Sequence, residues 1–168
     1  TMEHVVYTQV HLTDYSVGGA VNRVFKDYFP KAPPARSTIG VAKLPGTPLE
    51  ISAVAVRDLS KKKVIMPPGH PTNAPVSPGV TAGDRLYLSG FFGSEIDTGR
   101  IPADPAAQVQ LAFDNMAQTL KADGLDFRHM VFVNPYLTNN MPMGVMNQVY
   151  ATHFEFGNTP ARATIQVA

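Results

Sequence analysis

The chain states one pattern twice. His4-Val5-Val6-Tyr7, Leu12-Thr13, Asn22-Arg23-Val24-Phe25 and Pro34-Ala35-Arg36 follow one another near the start. About 125 residues later His129-Met130-Val131-Phe132, Leu137-Thr138, Asn147-Gln148-Val149-Tyr150 and Pro160-Ala161-Arg162 come in the same order, with a shift of one at the proline loop, where a connecting segment tolerates an insertion. Such a period is too long for a solenoid unit and matches a small domain. The chain then holds about one and a third copies, which predicts a tandem duplication entered part-way through one repeat and left before the last strand of the next. The expected division is 1–59, the C-terminal half of one repeat, and 60–168, a second repeat lacking its last strand.

Within the first copy, the most informative stretch is Pro34 to Val56. Two runs, Ser37 to Ala42 and Leu49 to Val56, are rich in β-branched and small apolar residues, and Leu44-Pro45-Gly46-Thr47-Pro48 stands between them. Proline fixes φ and glycine supplies positive φ, so the stretch reads as a hairpin. Arg36 enters the first strand and Glu50 opens the second. A cation and a carboxylate at neighbouring strand ends could serve one cleft. They could equally be a loop-end charge and an edge-strand charge that discourages aggregation.

Elsewhere, Val5 to Leu12 alternates as a strand, and Val17, Ala20, Val21, Val24, Phe25 and Tyr28 recur at helical spacing until Pro30. Asp58 to Gly69 reads as a connector whose Lys61-Lys62-Lys63 run is a solvated linker. Val64-Ile65-Met66 and Arg85 to Ser89 read as strands, Pro67 to Pro78 as loop, and Asp97-Thr98-Gly99 as a turn. Pro105 to Asp123 is the strongest helix, with Asp104 as N-cap, Pro105 in the first turn and Gly124 as stop. Val109, Ala112, Phe113, Met116 and Leu120 form its inward stripe, and Gln108, Gln110, Asp114, Gln118 and Lys121 its wet face.

Composition narrows the functions. With 168 residues, 44% hydrophobic and 16% charged, the chain is long enough to bury a core. A net charge of +1 argues against a broad nucleic-acid face. Having no cysteine, it has neither disulfides nor a thiolate nucleophile. No apolar run reaches membrane-span length and no signal-peptide pattern opens it, so the expected location is cytoplasmic. The histidines lack metal-ligand spacing, so no metal is expected, and Ser89 lies outside a GxSxG elbow. His4 and His129, at equivalent repeat positions, read as structural.

These residues resemble the Rid (reactive intermediate deaminase) family, of YjgF/UK114 type, formerly labelled endoribonuclease L-PSP or translation inhibitors. The resemblance rests on LYLSGFFG, TGRIPADPAAQVQLAFDNMAQTLKADGL, VVYTQVHLTD, AVNRVF, PARSTIGVAKLP and LEISAVAV in their order and spacing. It implies an α+β fold in which a mixed sheet carries two helices on one face, duplicated here. It also implies homo-oligomers built as trimer-like rings, pseudo-hexameric for a tandem chain, with ligand clefts between domains. By that resemblance Arg36 and Arg162 grip a substrate carboxylate, Glu50 positions or activates water, and Ser89 and Gly90 offer a hydroxyl and an N–H to the ligand. Asn22 and Asn147 match the family asparagine, and Thr38 and Thr164 fall where many members have cysteine. Val76 stands where many members carry a tyrosine.

The implied activity is hydrolytic deamination of short enamine and imine acids, such as 2-aminoacrylate and 2-iminopropionate, to the keto acid and ammonia. It needs no metal or organic cofactor. The partner is therefore a small carboxylate or imine, not a membrane and not nucleic acid. Two other readings are a carboxylate-binding or sensing module without turnover, motivated by Val76, and an RNA-cleaving translation inhibitor, against which the charge and the absence of an aromatic-basic stripe weigh.

Overall fold

Val6, Val10 and Leu12 are shut off from solvent completely, and the strand that carries them, β1 (Val5–Leu12), is the centre of the first half of the molecule. In a computed structural model that describes residues 1–167, the chain forms two compact units, Thr1–Gly90 and Phe91–Ala168. The first unit runs past the connector to Gly90, because the strands that follow the connector pack on those that precede it.

In the first unit, α1 (Gly18–Tyr28) returns the chain to β2 (Ala35–Gly40), which lies parallel to β1 from Tyr7 opposite Ala35 to Leu12 opposite Gly40. A parallel pair requires such a crossover. Next, β3 (Leu49–Ala55) runs antiparallel along the other side of β1, from Leu12 opposite Leu49 to Val5 opposite Ala55. The expected hairpin is therefore corrected. The two predicted strands exist and Gly46 has φ of 70°, but β2 and β3 do not pair with each other and instead flank β1. Residues 41–48 cross the end of β1, held by Val41 N–H donating to Leu12 O (2.8 Å) and Thr13 N–H donating to Pro48 O (3.0 Å). A buried strand needs partners for the peptide groups on both its edges, and a β2–β3 hairpin would leave one edge of β1 bare.

The α1 stripe is narrower than its spacing predicts. Val21, Phe25 and, just beyond the helix, Phe29 are buried with Val10 and Leu12, whereas Val17, Val24 and Tyr28 are exposed.

The connector leads to β4 (Lys62–Ile65), β5 (Gly79–Ala82) and β6 (Arg85–Leu88), an antiparallel sheet with β5 in the middle. Val80 of β5 packs with Val6 and Ala35. β5 escapes sequence reading because four residues directly after a proline-rich loop carry too little periodicity. Lys62 also departs from expectation. Its ammonium donates to Glu3 O (2.7 Å), Val5 O (2.9 Å) and Ala32 O (3.5 Å), and burial lowers its pKa. It is a clamp between β4 and the segments around β1, not part of a solvated linker.

The second unit holds α2 (Pro105–Ala122), α3 (Met143–His153) and four short strands. Asp104 caps α2 by accepting from Ala107 N–H at 3.1 Å, and Gly124, with φ of 73°, ends it. Strands β7 (Phe132–Val133) and β9 (Ala161–Arg162) pair in parallel, as do β8 (Tyr136–Leu137) and β10 (Ile165–Gln166). Val109, Phe113, Leu137, Met146, Tyr150 and Phe154 form the core. Two polar residues of α2 are buried as well, Asn115 and Thr119. The Asn115 amide donates to Phe92 O (3.1 Å) and Ser94 O (2.9 Å), pinning a segment whose Gly93 lies so close to α2 that a Cβ there would stand 2.2 Å from Gln108 O. Gln108 and Gln110, expected on the wet face, are half-buried, and Gln108 Nε2 donates to Pro102 O at 2.7 Å.

Two outcomes follow from these contacts. Lys62→Met should lower stability by about 1–3 kcal/mol in chemical denaturation, because carbonyls of the first unit lose their donor. Asp126, which caps the short turn Phe127–His129, is held at about 2 chiefly by its hydrogen bond from Arg128. A carboxyl depressed in the folded state stabilises above its ordinary pKa and ceases to do so as pH falls through the folded value. The difference in melting temperature between the protein and Asp126→Asn should therefore be constant above pH 5 and shrink as pH falls from about 4 towards 2.

Candidate functional site

Both arginines of the repeated motif are held in the same way. Thr8 stands opposite Arg36 across β1 and β2, and Val133 stands opposite Arg162 across β7 and β9. Register also agrees further along, where His11 opposite Ile39 corresponds to Tyr136 opposite Ile165. In the first unit Arg36 Nη2 donates to Asn22 Oδ1, and its guanidinium carbon lies 4.5 Å from the centre of the Phe25 ring. In the second, Arg162 Nη1 donates to Asn147 Oδ1 at 2.9 Å, and its carbon lies 4.6 Å from the Tyr150 ring. Asparagine and aromatic are three apart on one helix and so share a face. The asparagine orients the planar fork while the ring supports it from below.

The two arginines differ in cover. Arg162 is exposed, and Thr164, two residues on, has a buried hydroxyl without a partner among the described residues. Arg36 is half-buried, and burial lowers its pKa while the nearby Tyr15 acts in the opposite sense. Its second terminal nitrogen, Nη1, is buried and has no acceptor among the described residues. That guanidinium borders a depression of about 260 Å³ between β2 and the start of α1, which Asn22 and Thr38 also line. Tyr15, Val21 and the glycines Gly18 and Gly19 complete its walls.

Ser89 and Gly90 meet Arg36 through its backbone. The Ser89 hydroxyl accepts from Arg36 N–H (2.8 Å) and donates to Ser77 O (2.7 Å), and Gly90 N–H donates to Arg36 O (3.1 Å). Those groups hold the strand that presents the guanidinium. Ser77, next to Val76, is stapled to the same segment, its hydroxyl donating to Pro33 O at 2.6 Å.

Glu50 lies elsewhere. It stands opposite His11 on β1, three residues from Thr8, so it projects from the face of the sheet opposite to Arg36. Its Oε1 is 3.7 Å from His11 Nδ1, an ion pair when the imidazole is protonated. The structure thus brings together Asn22, Arg36 and Thr38, supports Arg36 through Ser89 and Gly90, and leaves Glu50 outside that depression. Phe25 was legible only as part of the helical stripe and Tyr150 only as its counterpart in the repeated motif, and Tyr15, Gly18 and Gly19 carried no signal in the sequence. His4 and His129 occupy matching places, each reaching back to the start of a short 3-10 turn. Among the described residues no cluster of His, Asp or Glu is arranged to hold a metal, and no helix is long and apolar enough to cross a membrane.

The family model described as Endoribonuclease L-PSP matches residues 1–57 and 69–168, and the chain belongs to that family, the Rid proteins its motifs resemble. A 2-iminobutanoate/2-iminopropanoate deaminase from Rattus norvegicus is 37% identical over 84 residues, 49% of this chain and 61% of the rat protein. The chain thus spans less than two thirds of that relative. A protein of the same name from Dermatophagoides farinae is 32% identical over 112 residues, 66% of this chain and 87% of the mite protein. Among solved structures, E. coli TdcF with bound serine is similar with a TM-score of 0.57 at 29% identity, over 64% of this chain and 87% of TdcF. The fold is that mixed α+β fold.

Ser89→Ala would leave Arg36 N–H and Ser77 O without their partner. It should cost roughly 1–3 kcal/mol in denaturant unfolding. A hydroxyl whose sole job was to touch ligand would leave unfolding unchanged.

Proposed function

We propose that this chain hydrolyses short imine and enamine acids to keto acid and ammonia, with the Arg36 depression binding the substrate carboxylate. The observation that carries this is Arg36 at the depression, a half-buried guanidinium already oriented by Asn22 and supported by the Phe25 ring. A carboxylate is the acceptor that an aimed guanidinium fork favours most. The names of the rat and mite relatives support the same chemistry.

With its carboxylate on Arg36, the substrate presents its C=N carbon to a water held by the Thr38 hydroxyl. Water oxygen adds to that carbon and the nitrogen takes a proton. The carbinolamine then collapses, the C–N bond breaks, and ammonia leaves with the keto acid behind. Holding the acid in place lowers the entropic part of a barrier that water alone already crosses. Glu50, on the other face of its sheet, serves in this reading a ligand bound by another domain, in keeping with assembly of copies into a ring. The agreement of register between the units supports a duplicated domain divided at 1–59 and 60–168, with Arg162, Asn147 and Thr164 as the second site.

One observation favours a second reading, a carboxylate-binding module. None of the residues lining the depression is a carboxylate or an imidazole, so a general base is missing from it. A coupled assay that generates 2-aminoacrylate and follows the decay of its imine separates the two. Deamination predicts acceleration by the protein, at least tenfold lower in Arg36→Ala and further reduced when Arg162→Ala is added. Decay at the buffer rate, together with carboxylate binding lost in Arg36→Ala, is the outcome for the binding module.

A further inference from the structure

Gly18 and Gly19 open α1, yet neither needs the freedom of glycine. Gly18 has helical angles, φ −53° and ψ −34°, and neither residue is in the positive-φ region. A Cβ added to either would meet nothing within 4 Å. Glycine weakens a helix relative to alanine, so two of them in a first turn are a local cost with no backbone reason behind it. Both line the Arg36 depression, and a side chain at either would extend from its wall into open space. Val21 and the Tyr15 ring supply apolar wall beside that space, and Tyr15 is half-exposed at its edge.

We infer that the glycine pair and Tyr15 form a side-chain pocket, and that this site prefers 2-imino and 2-oxo acids with branched or aromatic side chains over the three-carbon acid. The inference rests on the reading that Arg36 takes the carboxylate. The depression measures about 260 Å³, and at roughly 30 Å³ per water it has room on the order of eight waters. A three-carbon acid on Arg36 leaves much of that space as water against Val21 and Tyr15. A branched or aromatic side chain displaces the water and covers both, and each methylene buried this way is worth roughly fourfold in affinity. Nothing charged except Arg36 lines the depression, so an acidic or basic side chain gains no partner there.

Calorimetric titration of the full chain with pyruvate, 4-methyl-2-oxopentanoate and phenylpyruvate tests this, using wild type, Gly18→Leu, Gly19→Leu and Arg36→Ala. In wild type the two larger acids should bind at least fivefold more tightly than pyruvate. Gly19→Leu or Gly18→Leu should bring that ratio to about one or below, with a melting temperature no lower than wild type, since leucine is the better helix former. If Arg36→Ala abolishes binding but pyruvate binds as tightly as the larger acids, or both leucine variants keep the wild-type ratio, the pocket is overturned while the Arg36 reading stands. Should Arg36→Ala bind every acid like wild type, or wild type bind none, the Arg36 reading falls and the pocket with it.

Discussion

The pairing of β1 on both edges is the constraint on which the first unit depends. Val6, Val10 and Leu12 are wholly buried, so the peptide groups between them have no water to turn to. One edge is satisfied by β2 after the α1 crossover and the other by β3 after residues 41–48. That arrangement puts Arg36 and Glu50 two strands apart and on opposite faces. It also places α1 directly over Arg36, so that Asn22 and Phe25 can hold it.

From there the site is built by support rather than by a catalytic cluster. Arginine is an effective carboxylate ligand only when its fork is aimed, and its side chain loses much rotamer entropy in being aimed. Asn22 and Phe25 fix the Arg36 side chain as the protein folds, and the backbone bonds to Ser89 and Gly90 fix the strand that carries it. The second unit repeats the asparagine and the aromatic around Arg162, but that arginine remains exposed. Equal first neighbours therefore do not make equal sites, because cover changes how strongly a bound charge is felt.

Legibility in the sequence followed the range of each interaction. β1, α1 and α2 were readable because their signals are local: alternation, 3.6-residue spacing, Asp104 before Pro105, and Gly124 at the end. The repeat exposed Arg36 with Arg162 and Asn22 with Asn147 as matched pairs. Partnerships were not readable. Lys62 sat in a run of lysines and turned out to bind carbonyls near β1, the backbone partners of the Ser89 hydroxyl lie far from it along the chain, and the Pro45-Gly46 turn did not make a hairpin. Asn115 and Thr119 lie inside a helix whose amphipathic pattern assigns them no inward role.

What the sequence determined by itself was the family, the strands and helices with strong local periodicity, and the matched setting of the two arginines. Those properties are carried by residue type and spacing along the chain, where each signal needs only its neighbours. Tertiary structure decided which strand edge met which, which face each charge took, and that two glycines, a valine and a tyrosine would border the Arg36 depression. Such choices depend on satisfying every buried peptide group at once, and on the space left after packing, neither of which any local window of sequence contains.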